Sequence, residues 1–267
     1  MIGTSLIETL VQAVALSHLV KGHQRVSLLL LAAPESGKTT ITKSAECKHV
    51  QPIAVISGRS VIREMKEQKH VEYLLFNDMS AIRGMSVPAV NLLVSILNQV
   101  TQGERGLIAF AGKEREFIDR QVGIIACIPF TAFKDNRSRW REMGFVSRMI
   151  PFAYSYPADL VATIKDSIDE EAHANNTKKM PKARRAPVRI SVPRPLVRRV
   201  RHLADARAHE MGLLGIRLLN NYHCLIRAHA LLHGRSVVAQ DDLKFLREVD
   251  KYVSVQTCTP LALNGQG

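Results

Sequence analysis

Residues 26–40 read Val-Ser-Leu-Leu-Leu-Leu-Ala-Ala-Pro-Glu-Ser-Gly-Lys-Thr-Thr, and this stretch decides the fold. Residues 26–31 form a short apolar run with the length of a buried strand. Ala33, Pro34, Glu35, Ser36 and Gly37 follow as a turn-rich loop, and Lys38, Thr39 and Thr40 open an expected helix. Strand, loop, Lys-Thr and helix in this order are the pattern of a phosphate-binding loop. Its backbone N–H groups and the positive end of the helix suit a triphosphate. Lys38 is expected to reach the β and γ phosphates, and Thr39 to offer its hydroxyl to Mg²⁺. One departure stands out: the usual G-x-x-x-x-G-K-[ST] pattern opens on glycine, and Ala32 occupies that position.

Outward from the loop, apolar residues recur at helical spacing over 2–20, with Thr4 or Ser5 as cap and Glu8 in the first turn. Strands are expected at 53–56, 71–76, 122–128 and 149–156, and helices at 38–45, 60–69 and 87–100. A small hairpin is expected over 107–118, its turn at Gly112-Lys113. Strands alternating with helices indicate an α/β fold with a mostly parallel sheet. The site of such a sheet lies in the loops after its strand ends.

Near residue 169 the composition changes. Asp169-Glu170-Glu171 gives way to a basic connector with Lys178, Lys179, Lys182, Arg184 and Arg185. Helices are then expected over 195–211, 216–232 and 241–253. The division is therefore an α/β core over 1–168, a connector over 169–189, a helical domain over 190–256 and a tail over 257–267. The core is expected to begin almost at the first residue, with no separate DNA-binding domain before it.

The 267 residues carry 37 Lys and Arg against 24 Asp and Glu, a net charge of +13. That balance favours anionic partners, nucleic acid first. No stretch reaches roughly 18 uninterrupted apolar residues, and the N-terminus lacks a basic leader with a cleavage site, so no membrane association is expected. Cys47, Cys127, Cys224 and Cys258 are scattered without a C-x-x-C pair, which fits a reduced, cytoplasmic setting without structural zinc. The histidines, His202, His209, His223, His229 and His233 among them, form no recognisable ligand pattern and read as helix-surface or core-edge residues.

A bound triphosphate needs a metal, oriented water and charge relief in the transition state. Asn77-Asp78 ends an apolar strand where an Asp-Glu pair is usual. Either Asn77 takes the metal position and Asp78 the base position, or Asp78 serves the metal and Met79 follows it; Asp78 capping the next helix is a third reading. Thr131, after the 122–128 strand, is placed to hydrogen-bond the γ phosphate or the water. Arg148, beside the 149–156 strand, suits a phosphate in a neighbouring subunit, with Arg137, Arg139 and Arg141 as weaker candidates. Arg217 opens a helix and is expected to lean back over the nucleotide.

In this order the loop, Asn77-Asp78, Thr131, Arg148 and Arg217 resemble an AAA+ ATPase over nearly the whole chain. Gly144-Phe145-Val146-Ser147-Arg148 is similar to the Ser-Arg-Phe finger of minichromosome-maintenance helicases. Ile216-Arg217 and Ile226-Arg227-Ala228-His229-Ala230 are similar to the Leu-Ile-Arg-x-Ala-x-Ala-His lid helix of that clade, with Asp241-Asp242 where its last lid helix begins. The 107–118 hairpin sits where that clade carries an insertion.

The resemblance implies a P-loop NTPase core with a parallel sheet flanked by helices, followed by a small all-helical lid domain. It implies ATP and Mg²⁺ bound between subunits of a homo-oligomeric ring or filament, with Arg148 as finger, Thr131 and Arg217 as sensors, and hydrolysis coupled to remodelling or translocation on nucleic acid. Lys113 and Arg115 of the hairpin, then Lys178, Lys179, Arg184 and Arg185 of the connector, are the nucleic-acid candidates. Asn77-Asp78 in place of Asp-Glu motivates an alternative, a nucleotide-switched scaffold or DNA-associated regulator with little turnover, and makes a partner protein a candidate source of the missing glutamate. A monomeric P-loop kinase of small metabolites is a third reading, and the helical lid with Arg217 argues against it.

Overall fold

The apolar run ahead of the loop becomes β1 (Ser27–Leu31), buried at every residue. In the computed structural model, which describes residues 5–103, 106–109, 115–118, 120–158, 161–162, 186–255 and 261–262, this strand sits inside a wholly parallel sheet. The other strands are β2 (Val50–Pro52), β3 (Tyr73–Phe76), β6 (Gly123–Ile128), β7 (Met149–Ser155) and the two-residue β8 (Leu261–Ala262). Their order is β2-β3-β6-β1-β7-β8. β6 therefore separates β1 from β3, although β3 precedes β6 in the chain.

β1, β3 and β6 are continuous apolar runs because both faces of the sheet are covered. The covering helices include α1 (Ser5–Leu16), α2 (Lys38–Lys43), α3 (Gly58–Glu67), α4 (Val87–Gln102) and α5 (Phe130–Glu142). Ser57 starts α3 with a reciprocal capping box to Ser60. β4 (Gly106–Ala109) and β5 (Arg115–Ile118) pair antiparallel, as the hairpin reading expects, and the intervening residues with Lys113 lie outside the described ones.

Two local expectations fail. The second strand is Val50–Pro52, not residues 53–56. It is an edge strand whose partner, β3, ends at Phe76, so pairing stops after Ile53 and Val55 stands 66% exposed. Helix α5 has no counterpart in the expected elements. Its sequence is polar apart from Phe130, Ala132, Phe133 and Trp140, three of them within the first turn, which leaves the apolar period too weak to read.

After the connector come α6 (Arg194–Met211), α7 (Ile216–Leu232) and α8 (Gln240–Lys251), close to the expected spans. α7 packs on α1 as well as on α6 and α8, so a single apolar core runs from α1 through the sheet into these helices. Residues 252–254 run antiparallel to β7, and Leu261–Ala262 of the expected tail add the last parallel strand. The connector is described only from residue 186, where Val188 bridges to Val20 and Ser191 to Val237.

Candidate functional site

The carboxyl ends of the parallel strands bring the loop, the end of β3 and the end of β6 to one edge. Ala32 is fully buried, hydrogen-bonds Ile128 through its N–H at 3.4 Å, and keeps a negative φ. Glycine's freedom is therefore not required at this position. The left-handed residues come later: Glu35 at φ 61° and Gly37 at φ 71°. Glu35 is the sole non-glycine with positive φ among the described residues, at a cost of roughly 1–2 kcal/mol. Alternating right- and left-handed residues turn successive N–H groups into a concavity that suits an anion. Strain of this kind collects at binding loops.

Lys38 closes that concavity from inside. Its Nζ donates to Ala32 O at 3.1 Å, to Ser36 Oγ at 3.1 Å and to Ala33 O. The side chain is buried, and burial lowers its pKa against the opposing pull of Cys127 and Asp78. Burial in turn pushes the Cys127 thiol up to about 12, which keeps it neutral. Tyr154 of β7 donates through its hydroxyl to Ser36 O at 3.2 Å, fixing the far side of the loop. Thr39 and Thr40, in the first turn of α2, face solvent.

At the end of β3 the two adjacent polar residues divide. Asn77 Oδ1 accepts from Thr42 Oγ1 of α2 at 2.9 Å, so its amide faces the helix that follows the loop. Asp78 is exposed and accepts from Ser80 N and Ser80 Oγ, both at 2.8 Å. Asp78 thus turns its carboxylate onto Ser80 at the start of the 3-10 turn Ser80–Gly84, whose N-cap is Met79, while Asn77 takes the inward position. Thr131 lies exposed in the first turn of α5, beyond Pro129 rather than on the strand end. An Arg83–Asp135 ion pair at 3.0 Å ties the 3-10 turn to α5, so both border the same edge.

Arg148 occupies the opposite edge. Met149 pairs with Ser27 and Ala153 with Leu31, so residue 148 lies at the amino end of β1 while the loop leaves its carboxyl end. Four strand residues at about 3.3 Å each separate the two levels by roughly 13 Å. Arg148 Nη1 donates to Gly144 O at 2.6 Å and Nε to Gln102 Oε1 at 2.7 Å. Gly144 is left-handed at φ 70°, and a Cβ there would fall on Arg148 Nη1. Arg217 Nη1 donates to Ser147 Oγ at 3.0 Å. Arg217, expected to lean over the nucleotide, thus points its guanidinium at Ser147, on the Arg148 edge and away from the loop of the same chain.

Arg141 Nη2 holds Gly212 O at 2.7 Å, and Arg137 Nη1 holds Val255 O at 3.0 Å, so two of the weaker candidates fasten α5 to the C-terminal part. A cleft of about 590 Å³, lined by Arg141, Ser147, Leu213, Leu214, Ile216 and Arg217, opens beside Arg148. Leu214 is 95% and Ile216 68% exposed on its rim; Ile216 enters the sequence analysis only within the lid-helix resemblance, and Leu214 not at all. A lone apolar residue in a turn, such as Leu214, gives no periodic signal.

Of the nucleic-acid candidates, Arg115 lies on the backbone of β5, while Lys113, Lys178, Lys179, Arg184 and Arg185 lie outside the described residues. Among the described residues no three metal-binding side chains cluster, no helix is long and apolar enough to cross a membrane, and Cys47, Cys127 and Cys224 are free thiols. Comparison with models of known protein families gives no match, and comparison with curated proteins gives none.

Proposed function

We propose that the chain is an AAA+-type ATPase, with a P-loop core and a C-terminal helical lid, that binds ATP and Mg²⁺ at loop 32–40 and completes each site with a second copy of itself. The observation that carries this reading is the Lys38 ammonium, buried with all its donors turned onto its own loop. Anionic phosphate oxygens are better acceptors than the two carbonyls and hydroxyl that hold it in the free chain. Ala33 to Thr40 would surround the phosphates, Thr39 and Asp78 would hold Mg²⁺, and Thr131 would approach the γ phosphate from α5. The metal supplies charge neutralisation between the phosphates; Asp78 is the carboxylate available to orient water.

Arg148 stands at the wrong end of the sheet for its own loop, which supports its action on a neighbour's γ phosphate. Arg217, tied to Ser147, would act from the same side. The exposed Leu214 and Ile216 beside them suit an interface between copies in a ring or filament. Turnover would shift the lid against the core and act on nucleic acid, consistent with the charge of +13, in a reduced cytoplasmic setting where the free thiols persist.

The test is phosphate release by the purified chain with Mg-ATP, alongside calorimetric titration. Lys38→Ala removes charge-assisted hydrogen bonds worth about 1.5–3 kcal/mol each, so ATP affinity is expected to fall at least about 100-fold and turnover to vanish. Wild-type chain that takes up no Mg-ATP at high protein concentration overturns the proposal.

A specific observation also favours the second reading, a nucleotide-switched scaffold with little turnover. Asn77 puts a neutral amide at the inward strand-end position. Tight Mg-ATP binding by wild type with no phosphate release, with or without DNA, selects the switch over the motor.

A further inference from the structure

A further basic surface draws on three stretches of the chain. Sequence segments 17–26, 172–204 and 211–240 contain no Asp or Glu. The structure gathers parts of all three. Lys21 N donates to Val188 O at 2.9 Å and Val188 N to Leu19 O at 2.7 Å, which sets His23 and Arg189 on adjoining strands of backbone. From α7, Arg227 Nε donates to Ile190 O at 3.2 Å and Nη1 to His223 O at 2.6 Å, so its guanidinium is fixed over the same place. α6 packs alongside α7 and contributes Arg194, Arg198 and Arg201, spaced i, i+4, i+7 on one exposed stripe.

We propose that the face made by Lys21, His23, Arg189, Arg227 and the Arg194–Arg198–Arg201 stripe of α6 binds the phosphate backbone of nucleic acid. Four features carry it. First, among the described residues no carboxylate pairs with Arg189, Arg194, Arg198, Arg201 or Arg227; the acids of α6 lie in its second half, where Glu210 pairs with Arg207 and Asp205 lies near Gly215. Second, the first turn of α6 carries Arg194 and no acidic residue, so the positive end of the helix dipole adds to the cationic stripe. Third, the cations crowd one another: burial, then Arg227, His23 and Arg201, push His223 down to about 4. No carboxylate opposes them at His223, whose Nδ1 is buried without a partner among the described residues.

Fourth, the chemistry separates nucleic acid from an anionic membrane. Apart from Lys21 and His23 the basic groups of this face are guanidiniums, with Arg227 held in place by Ile190 and His223, and guanidiniums suit planar bidentate contact with phosphate. A membrane-binding face would carry exposed apolar residues beside them. Among the described residues, of the exposed large apolar side chains it is Val237, bridged to Ser191, that sits on an element next to this face. Contacts to phosphate alone make the binding indifferent to sequence and steep in salt. The face differs from the hairpin and from the connector residues 178–185.

The test uses the full chain without ATP, fluorescently labelled single-stranded and duplex oligonucleotides, and a salt series read by anisotropy. Arg198→Ala with Arg201→Ala changes two exposed side chains, and thermal melting checks that the fold persists. The double variant is expected to bind at least about tenfold more weakly at low salt. The slope of log affinity against log salt should flatten by about 1.4–1.8, the share of two phosphate contacts. A charge-matched control, Lys244→Ala with Arg247→Ala on the exposed side of α8, should leave the slope in place. Lys38→Ala should bind the oligonucleotides like wild type, so failure of the ATPase reading leaves this outcome untouched. The proposal is overturned if the control weakens binding as much as the double variant, or if the chain ignores both oligonucleotides and binds phosphatidylserine vesicles instead.

Discussion

The two edges of the parallel sheet are built in opposite ways. At the carboxyl edge the polar groups satisfy one another: Lys38 donates into its own loop, Asn77 meets Thr42, and Asp78 holds Ser80. At the amino edge Arg148 is held by Gly144 and Gln102 and Arg217 by Ser147, and the rim beside them exposes Leu214 and Ile216. In the proposed ATPase the concavity suited to phosphate and the pair of oriented guanidiniums would be the two halves of one site for phosphoryl transfer. Within one chain the length of the strands keeps them apart. The contrast teaches that a second copy is needed to join them in the proposed ATPase.

The sharpest way to break this contrast is to inactivate the edges separately. Arg148→Ala is expected to keep Mg-ATP binding and to lower turnover about 10³-fold, the lower bound for an arginine finger. Lys38→Ala fails from the other edge. Mixed in equal amounts, the two dead variants should recover phosphate release, because some interfaces then pair an intact loop with an intact Arg148. A mixture that stays dead places both groups in one chain's site and ends the two-copy reading.

Leu214→Asp tests the rim. The side chain is 95% exposed, so the fold should melt as wild type does. Burying a leucine contributes about 1.5–3 kcal/mol, so self-association with a non-hydrolysable ATP analogue should weaken roughly tenfold or more by sedimentation. Unchanged association would move the interface elsewhere.

Asn77→Asp sharpens the carboxyl edge. The change is nearly isosteric, and a carboxylate oxygen still accepts from Thr42 Oγ1. It restores a negative charge beside the place where Mg²⁺ would sit. Turnover is expected to rise about tenfold, equivalent to about 1.4 kcal/mol. If phosphate release is unchanged across a Mg²⁺ titration, Asn77 lies outside the metal's reach and the switch reading loses its main support.

Much of this contrast was legible in the sequence, and what was missed has physical causes. Continuous apolar runs such as 27–31 and 123–128 announce strands buried on both faces, and Gly37-Lys38-Thr39 announces the loop. The strand order could not be read, because putting β6 between β1 and β3 depends on pairing between residues far apart in the chain. That order sets which groups share an edge, so the placing of Arg148 and Arg217 together, away from the loop of the same chain, could not be read either. Helix α5 escaped because its buried face amounts to Ala132, Phe133 and Trp140, too few to set a period. Arg141 and Arg137 looked like free basic residues, yet they spend hydrogen bonds on the carbonyls of Gly212 and Val255.

The smallest expected effect lies at Gly144, where the backbone itself aims Arg148. Residue 144 is left-handed at φ 70°, a conformation that costs a residue with a Cβ about 1–2 kcal/mol. The Cβ of Gly144→Ala would also fall on Arg148 Nη1, which now donates to the carbonyl of that same residue at 2.6 Å. The guanidinium is the end of a flexible side chain and can move aside, so the fold should survive with stability lowered by about 1–2 kcal/mol in a denaturant titration. Its direction should suffer more than its presence. Turnover is then expected to fall by a factor between that of wild type and that of Arg148→Ala, with Mg-ATP affinity unchanged. Equal turnover in Gly144→Ala and wild type would show that Arg148 swings free of the amino edge when it acts, and that the hydrogen bond seen in the isolated chain has no part in aiming it.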